Sequence, residues 1–124
     1  MTMAVPQSVP IRSPRDGALA AAAVFQKRSI SAVYDGHQRL LCPHILGWNK
    51  DRELRLLCFQ FGGSSSKPLY TGEGSNWRCL NVEKLSAVRL TEHPWRSGGE
   101  HTRPQSCIQE VIFDAEDPDG LRRS

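Results

Sequence analysis

The chain has no long apolar run, no paired metal-ligand motif and no phosphate-loop motif. No stretch approaches the ~20 apolar residues that a transmembrane helix needs, so we do not expect the protein to bind or cross a membrane. The spacings C-x-x-C and H-x-x-x-H do not occur, and these are the usual signatures of a zinc site. The sequence therefore predicts no metal and no cofactor.

The cysteines are few and widely spaced. A secreted disulfide framework is denser and follows a signal peptide. The nearest candidate for such a peptide, residues 17–25, is short, only weakly apolar, and followed at once by Gln26, Lys27 and Arg28. We therefore expect a reduced, cytoplasmic protein in which the cysteines are small buried side chains, namely Cys42, Cys58, Cys79 and Cys107.

The composition fits one small domain with many turns. The 124 residues include only 39% hydrophobic residues, which is low for a globular chain and typical of a small domain with much surface. Eight prolines and ten glycines predict short strands joined by frequent turns. The net charge of +3, from 16 basic and 13 acidic residues, permits nucleic-acid binding but does not require it.

A helix is predicted over residues 14–27. Ser13 is a suitable cap, Pro14 suits the first helical position, and Asp16 favours the positive end of the helix dipole. The alanine-rich composition supports the helix by propensity. The residues expected to contact the core are Leu19, Ala23 and Val24.

Alternating apolar and polar residues predict short strands. Asp35 and Gly36 predict a tight hairpin turn, because both positions accept a positive φ. Pro43 cannot donate to a strand ladder, so we expect it at an edge or a bulge. Apolar residues on both faces of residues 54–61 indicate a central strand. The five predicted strands are residues 30–34, 38–45, 54–61, 77–82 and 87–91, with a sixth at residues 107–114.

These elements predict a mainly β fold. Five short strands, a long loop over residues 62–75 and a single helical turn at residues 83–86 are typical of a small SH3-like (Sm-like) five-stranded barrel. We expect the helix to pack on one end of the barrel and the sixth strand to form a C-terminal extension. We expect residues 1–12 to be a disordered lead-in, residues 13–114 the single domain, and residues 115–124 a charged tail.

The order of several residues resembles the WYL domain family. That family has a helix, a strand ending in Tyr, a turn, then Arg, Pro and Leu-Gly, and later an acidic–basic–aliphatic triplet before the last strand. Over residues 20–91 this chain supplies, in the same order, Tyr34, Arg39, Pro43, Leu46, Gly47, Glu83, Lys84 and Leu85. The Trp-Tyr-Leu triplet that names the family is largely lost, since Arg55, Leu56 and Leu57 stand in its place.

The resemblance implies a non-enzymatic, ligand-sensing module of the kind found in bacterial transcriptional and defence regulators. It implies a negatively charged ligand, either nucleic acid or a nucleotide-like small molecule. The chain has no helix-turn-helix partner, so the resemblance implies a standalone member of the family. The alternative is a protein-interaction or homo-oligomerisation module that uses exposed strand edges, residues 107–114 above all.

Five residues are candidate ligand contacts. Arg39 has the planar fork that suits phosphate, and the alternative is a solvated strand residue that pairs with Glu53 or Asp35. Tyr34 and Trp77 are candidates for stacking on a base. The alternatives are that Tyr34 is a core residue with its hydroxyl at the rim, and that Trp77 is a lid on the barrel. Arg78 would form an aromatic–cation platform with Trp77. Lys84 would supply charge, or else lies on a surface turn.

Other candidate sites have less support in the sequence. Residues 62–67 form a Gly/Ser-rich stretch whose backbone could hold an anion together with Lys67, although they lack phosphate-loop spacing. Cys42 and His44 share a strand face, as metal ligands or a nucleophile–base pair would. The further zinc ligands would come from Cys79, Cys107, His93 or His101. No marker of an oxyanion donor or a third catalytic group accompanies the pair, so we predict a protein that is not an enzyme.

Overall fold

The structure is a computed structural model that describes residues 14–64, 76–96 and 107–117. The expected lead-in, most of the loop at residues 62–75 and residues 118–124 of the expected tail lie outside these ranges. The described residues form one helix, six strands and a short 3-10 helix at Val82–Lys84. The helix is α1 (Pro14–Gln26), and the strands are β1 (Ile30–Tyr34), β2 (His37–Trp48), β3 (Leu54–Gly63), β4 (Trp77–Asn81), β5 (Ser86–Leu90) and β6 (Glu110–Asp114).

All six strands join one antiparallel sheet. The main order is β4-β3-β2-β1-β5. The long strand β2 pairs with β3 on one side, and on the other with β1 at its start and β6 at its end. The predicted mainly β class is confirmed. The predicted barrel is not confirmed, because the sheet is not closed: in the described part of the chain, β4 and β5 are its two ends and do not pair with each other.

The turn and the bulge lie where the sequence predicts them. Asp35 and Gly36 have φ values of 53° and 76°, as a two-residue hairpin between β1 and β2 needs. The register between β2 and β3 shifts between Pro43 and Ile45, so the missing N–H of the proline falls at a bulge. The bulge lets a twelve-residue strand bend around the core rather than cross it flat.

The helix packs on the sheet through the predicted residues and one more. Ala23 and Val24 are buried, Leu19 packs partly buried against the same cluster, and Ala20 is buried in addition. Asp16, one turn before Ala20, is also buried and accepts a hydrogen bond from the Val88 backbone N–H at 3.1 Å. This bond fixes the rotation of α1 against β5, and the residues one and two turns further on then face the core.

The sheet buries an apolar group on each face. In β3, Leu56 and Cys58 point toward α1, while Leu57 points the other way, as the alternation predicts. The face under α1, called the first face below, carries the main core, with Ile30, Leu41, Leu80 and Val88 among its members. The opposite face, called the second face, carries a small second cluster of Ile45, Leu57 and Ile108.

The second cluster is covered by the segment that leads into β6. A Cβ atom at Gly47 would collide with the Glu110 carbonyl oxygen and the Ile108 side chain, so glycine permits the close approach of this segment to β2. Ala115 packs in the main core and Asp117 is buried. The first residues of the expected tail therefore belong to the packed domain.

Two of the four cysteines are bonded to each other. Cys79 of β4 and Cys107 form a disulfide, so the expectation of four reduced cysteines is wrong for this pair. The cause is the fold: both residues reach the second face of the sheet, although 28 positions separate them in sequence. Cys42 and Cys58 are free and buried, as predicted. Within the described ranges, no helix is long and apolar enough to cross a membrane.

Candidate functional site

One end of the main core is polar. On four neighbouring strands, the side chains facing α1 are apolar along most of the strand and polar at the same end of the sheet. The antiparallel register places these ends together, with Cys58 opposite Arg78 and Gly63 opposite Arg39. The polar residues are Tyr34 of β1, Arg39 of β2, Gln60 of β3 and Arg78 of β4.

A cleft of about 290 Å³ opens at this polar end. It contains four of the five predicted ligand contacts, which come from three different strands. Lys84 is the exception, because it is exposed on the 3-10 helix and does not line the cleft. The lining residues are Tyr34, Asp35, Arg39, Trp77, Arg78, Cys79 and Leu80.

Arg39 is the most buried charge in the cleft, with only 3% of its surface exposed. Its Nη2 and Nε donate to the Tyr34 carbonyl oxygen at 3.2 and 3.4 Å, and its Nη1 donates to Gln60 Oε1 at 3.4 Å. Within the described part of the chain it pairs with neither of the carboxylates considered from the sequence. Glu53 instead pairs with Arg55 at 2.9 Å. Three of the five guanidinium N–H groups thus have acceptors among the described residues, and the other two have none there.

Gln60 is a positioning residue that the sequence analysis missed. It is fully buried, and its Nε2 donates to the carbonyl oxygens of Gly62 and Ser64, both at 2.9 Å. These bonds turn its Oε1 toward Arg39. The available signal is a single amide within the otherwise apolar run of β3, since a buried amide needs partners for both of its ends.

Gly63 permits β3 to approach β2 closely beside Arg39. Its φ of 79° is in the left-handed region, and a Cβ atom there would collide with the Gln38 carbonyl oxygen and lie 2.8 Å from the Arg39 Cα. The same Gln38 carbonyl accepts the Ser64 N–H at 2.9 Å. The backbone that carries Arg39 is therefore held from the neighbouring strand.

Tyr34 forms an anchored wall of the cleft. Its ring lies under the Arg39 guanidinium, with 5.2 Å between the guanidinium carbon and the ring centroid. Its hydroxyl accepts the backbone N–H of Asn81 at 3.0 Å. This bond joins the end of β1 to the end of β4, three places away in the strand order, so the sheet curls around the polar end of the core.

Arg78 brings a second cation to the same cleft. It is 7% exposed, and its Nη1 donates to the Trp77 carbonyl oxygen at 3.1 Å. Burial lowers the pKa of Arg78, and the positive charge of Arg39 lowers it further. Both causes disfavour a charge that arginine nevertheless retains at neutral pH. An anion in the cleft would offset both.

Trp77 lies at the mouth of the cleft and is half-buried. Its ring packs edge-on against His44, at 4.7 Å between centroids, and against Phe59, at 5.6 Å. These contacts hold the indole against the second face of the sheet. Trp77 therefore packs against the second cluster and also lines the cleft.

Cys42 and His44 both hydrogen-bond to the backbone of Arg96. His44 Nε2 donates to the Arg96 carbonyl oxygen at 2.8 Å, and Cys42 Sγ accepts the Arg96 N–H at 3.4 Å. Burial raises the pKa of Cys42, whereas a reactive cysteine has a lowered one.

The zinc and anion-cradle candidates gain no support from the described residues. Among these, no group of three or more His, Cys, Asp or Glu side chains is placed to hold a metal ion. Cys79 and Cys107, two of the zinc ligands considered from the sequence, are bonded to each other in the disulfide. His101 and Lys67 lie outside the described ranges.

Comparison of the chain with protein-family models, with curated proteins and with solved structures finds no match. What the cleft binds is therefore inferred from the chemistry of its own residues.

Proposed function

We propose that the protein is a non-enzymatic regulatory module that binds a negatively charged ligand, nucleic acid or nucleotide-like, in the cleft between Tyr34 and Arg78. The observation that carries this proposal is Arg39, a guanidinium that is 3% exposed and makes no ion pair with a described carboxylate. Burying an uncompensated charge is costly. A phosphate oxygen in the cleft would accept its two remaining N–H groups and repay that cost.

The other lining residues fit a nucleotide. Arg78 adds a second donor fork, and the Tyr34 and Trp77 rings supply apolar surface of the kind on which bases stack. A cleft of about 290 Å³ lies at the small end of ligand-binding pockets. This size favours one nucleotide unit, free or within a strand, over a larger ligand.

The WYL relationship is part of the same proposal. Two of the residues that carry the resemblance, Tyr34 and Arg39, line the cleft, whereas Lys84 does not. We also retain the SH3-like barrel as an interpretation of the sheet. It is supported by the return of β5 to β1 and by the bond between Tyr34 and Asn81, which curls the sheet. A regulatory role in a bacterial cytoplasm completes the proposal, and the disulfide then requires an explanation there.

The direct test is fluorescence anisotropy with a labelled short single-stranded oligonucleotide and a labelled mononucleotide, each at low and at physiological salt. We expect wild-type protein to bind, with an affinity that falls as salt rises. Arg39→Gln and Arg78→Gln should each weaken binding about tenfold, which is the loss of a charge-assisted hydrogen bond. Arg39→Lys, which retains the charge, should lose less than Arg39→Gln.

Arg89→Gln is the matched control, because it removes the same charge from an exposed position on β5 that does not line the cleft. Its effect at physiological salt should be small, since exposed charges are screened. Lys84→Gln should behave like this control. Equal losses of affinity in the cleft and control variants would show that net charge alone accounts for the binding. No binding at low salt would reject the proposal.

A second candidate function, docking to a protein or to a second copy, is favoured by one exposed apolar group. Phe25 of α1, 62% exposed, makes a tilted ring contact with Phe113 of β6 at 5.9 Å between centroids, and the next residue in β6, Ile112, is also exposed. Sedimentation of wild type and Phe25→Ser tests it. A dimer that the substitution dissociates would support this function, and a monomer at high concentration would remove the homo-oligomer version.

A further inference from the structure

Cys79 of the Cys79–Cys107 bridge lines two clefts. The first is the ligand cleft described above, which it lines next to Arg78 of β4. The second is a cleft of about 390 Å³, which it lines together with Cys107. The remaining lining residues of this second cleft are Asn49, Lys50, Asp51, Arg55 and Gln109. Both cysteines of the bridge thus line a cavity large enough for a small molecule.

The bridge holds down the segment that begins at Cys107. Next to it, Ile108 is one of only three buried residues of the second cluster described in the structure. The Gln109 N–H donates to the Trp48 carbonyl oxygen at 2.7 Å, and β6 pairs with the end of β2. Much of β6 is exposed, with Ile112 and Phe113 both more than one-third accessible. The cross-link thus supplements an attachment that buries little apolar surface.

The same cluster supports the ligand cleft. Trp77, which lines that cleft, packs against the cluster together with Cys79, Cys107 and Val111. If Cys107 and Ile108 move away, the indole loses part of its support. Arg78, between Trp77 and Cys79 in the strand, is then held less firmly. A change at the bridge consequently reaches two of the predicted ligand contacts.

We propose that Cys79–Cys107 is a thiol-exchange site for a small anionic thiol, and that its opening loosens residues 107–117 and weakens the ligand cleft. The second half of this statement rests on the proposed function. In a cytoplasm, a bridge reached by small thiols is mostly open and closes under oxidation. The disulfide would then make ligand binding strongest in the oxidised protein.

The exchange is a two-step reaction. A thiolate of the reductant attacks one sulfur of the bridge, forming a mixed disulfide with that cysteine and releasing the other cysteine as a thiolate. A second reductant thiolate attacks the sulfur of the reductant in the mixed disulfide and releases the second cysteine. Two reductant thiols are oxidised to one disulfide, and their two electrons and two protons reduce the protein bridge to two thiols.

The charges of the second cleft indicate the class of thiol. Lys50 and Arg55 can meet carboxylates, and Asp51 can meet an ammonium group. A thiol peptide of the glutathione type carries groups of both kinds, whereas 2-mercaptoethanol carries neither. We therefore expect glutathione to react faster than 2-mercaptoethanol at equal thiolate concentration, and Lys50→Gln to reduce that advantage. An unchanged ratio of the two rates in Lys50→Gln would reject the anionic-thiol assignment.

The first experiment measures reduction of the native full-length protein by glutathione at increasing concentration. Samples are quenched by alkylation in denaturant, and mass spectrometry counts two alkylated cysteines in the oxidised chain and four in the reduced one. Exchange through the cleft predicts a rate that rises linearly with thiolate concentration. A rate that saturates at the rate of unfolding would show that the bridge reacts only in the unfolded chain, and would overturn the proposal.

The second experiment compares hydrogen exchange and anisotropy for the oxidised protein, the reduced protein and Cys79→Ser/Cys107→Ser, which should resemble the reduced form. We expect faster exchange at residues 108–117 with α1 unchanged, and affinity for the labelled oligonucleotide reduced at least about fivefold. Equal affinities in both redox states would reject the coupling. Failure of the oxidised protein to bind would count against the proposed function, while the reduction rates and exchange pattern would still decide on the thiol site.

Discussion

The two faces of the sheet differ in what covers them. The cluster under α1 contains fourteen buried residues among those described, while the cluster on the opposite face contains three, one of which is Ile108 of the short cross-linked segment that covers it. A large apolar core stabilises its own cover, and a small one needs an additional restraint. The candidate cleft lies where the two faces meet at β4, with Arg39 and Arg78 on the first face and Trp77 on the second.

This difference has a functional consequence. Arg39 of the cleft is held by the stable face, through Gln60 and the backbone of Tyr34. Its aromatic lid is held by the weaker face. Ligand-binding elements are drawn from the less stable parts of proteins, so changes in the second face should alter binding before they unfold the domain.

The largest expected effect is the loss of unfolding free energy when a cavity is made in the core of the first face. Leu56 and Leu57 are neighbours on β3, equally buried, and point to opposite faces. Leu56→Ala should cost about 3–4 kcal/mol of unfolding free energy, since its cavity lies in a closed core, and Leu57→Ala at least about 1 kcal/mol less, since the covering segment can relax. Urea denaturation of both variants measures this. Equal losses would contradict the distinction between the faces.

The next effect removes the restraint on the second face. Cys79→Ser/Cys107→Ser should lower the unfolding free energy by about 2–4 kcal/mol, the usual contribution of a cross-link that closes a loop of this length. The loss should be local, so the amides of α1 should stay protected from hydrogen exchange up to the global unfolding free energy of the variant. A variant as stable as the wild type would show that the apolar contacts of Ile108 suffice.

A smaller effect tests how the first face is covered. Asp16→Ala leaves the buried Val88 N–H without the acceptor it now has at 3.1 Å. The expected cost is about 1–3 kcal/mol, the desolvation penalty of an unsatisfied donor. Asp16→Asn retains an oxygen acceptor and should lose less. Chemical denaturation followed by circular dichroism measures both, and equal losses for the two variants would show that the negative charge, not the hydrogen bond, is what matters.

The smallest effect lies at the exposed turn between β2 and β3. A hydrogen bond from Asn49 lowers the pKa of Glu53 most, and a hydrogen bond from Arg55 lowers it further. A carboxyl group with a lowered pKa in the folded state adds stability above its unfolded pKa, and loses it as the pH falls through the folded value. The urea midpoint of unfolding should therefore be slightly higher for the wild type than for Glu53→Gln at neutral pH. The difference should vanish in acid, and a difference that grows there would contradict this assignment.

Much of the local structure follows from the sequence. The alternation in β3 assigns Leu56 and Leu57 to opposite faces, and the turn residues Asp35 and Gly36 place the first hairpin, because each depends on neighbours in the chain. The bulge at Pro43 follows from a missing donor. Four of the five candidate ligand contacts meet in one cleft for the same reason, since strand period and register bring them to one end of the sheet.

What the sequence does not predict depends on distant parts of the chain. The disulfide forms because residues ahead of β6 cross the second face, and no local pattern encodes that crossing. Gln60 gains its role only when β2 places Arg39 beside it. Lys84 is assigned to the site by its position in a motif, but the 3-10 helix directs it away from the cleft lining. Closure of the sheet likewise depends on whether its end strands meet.

The anion site is tested most directly by a nuclear magnetic resonance titration of the oxidised protein with a nucleoside monophosphate, observing the arginine Nε–Hε and tryptophan indole signals. We predict that the signals of Arg39, Arg78 and Trp77 shift together along one binding curve, while the signal of the exposed Arg89 does not shift. Shifts spread over exposed arginines, or none at Arg39, would contradict an anion site in this cleft.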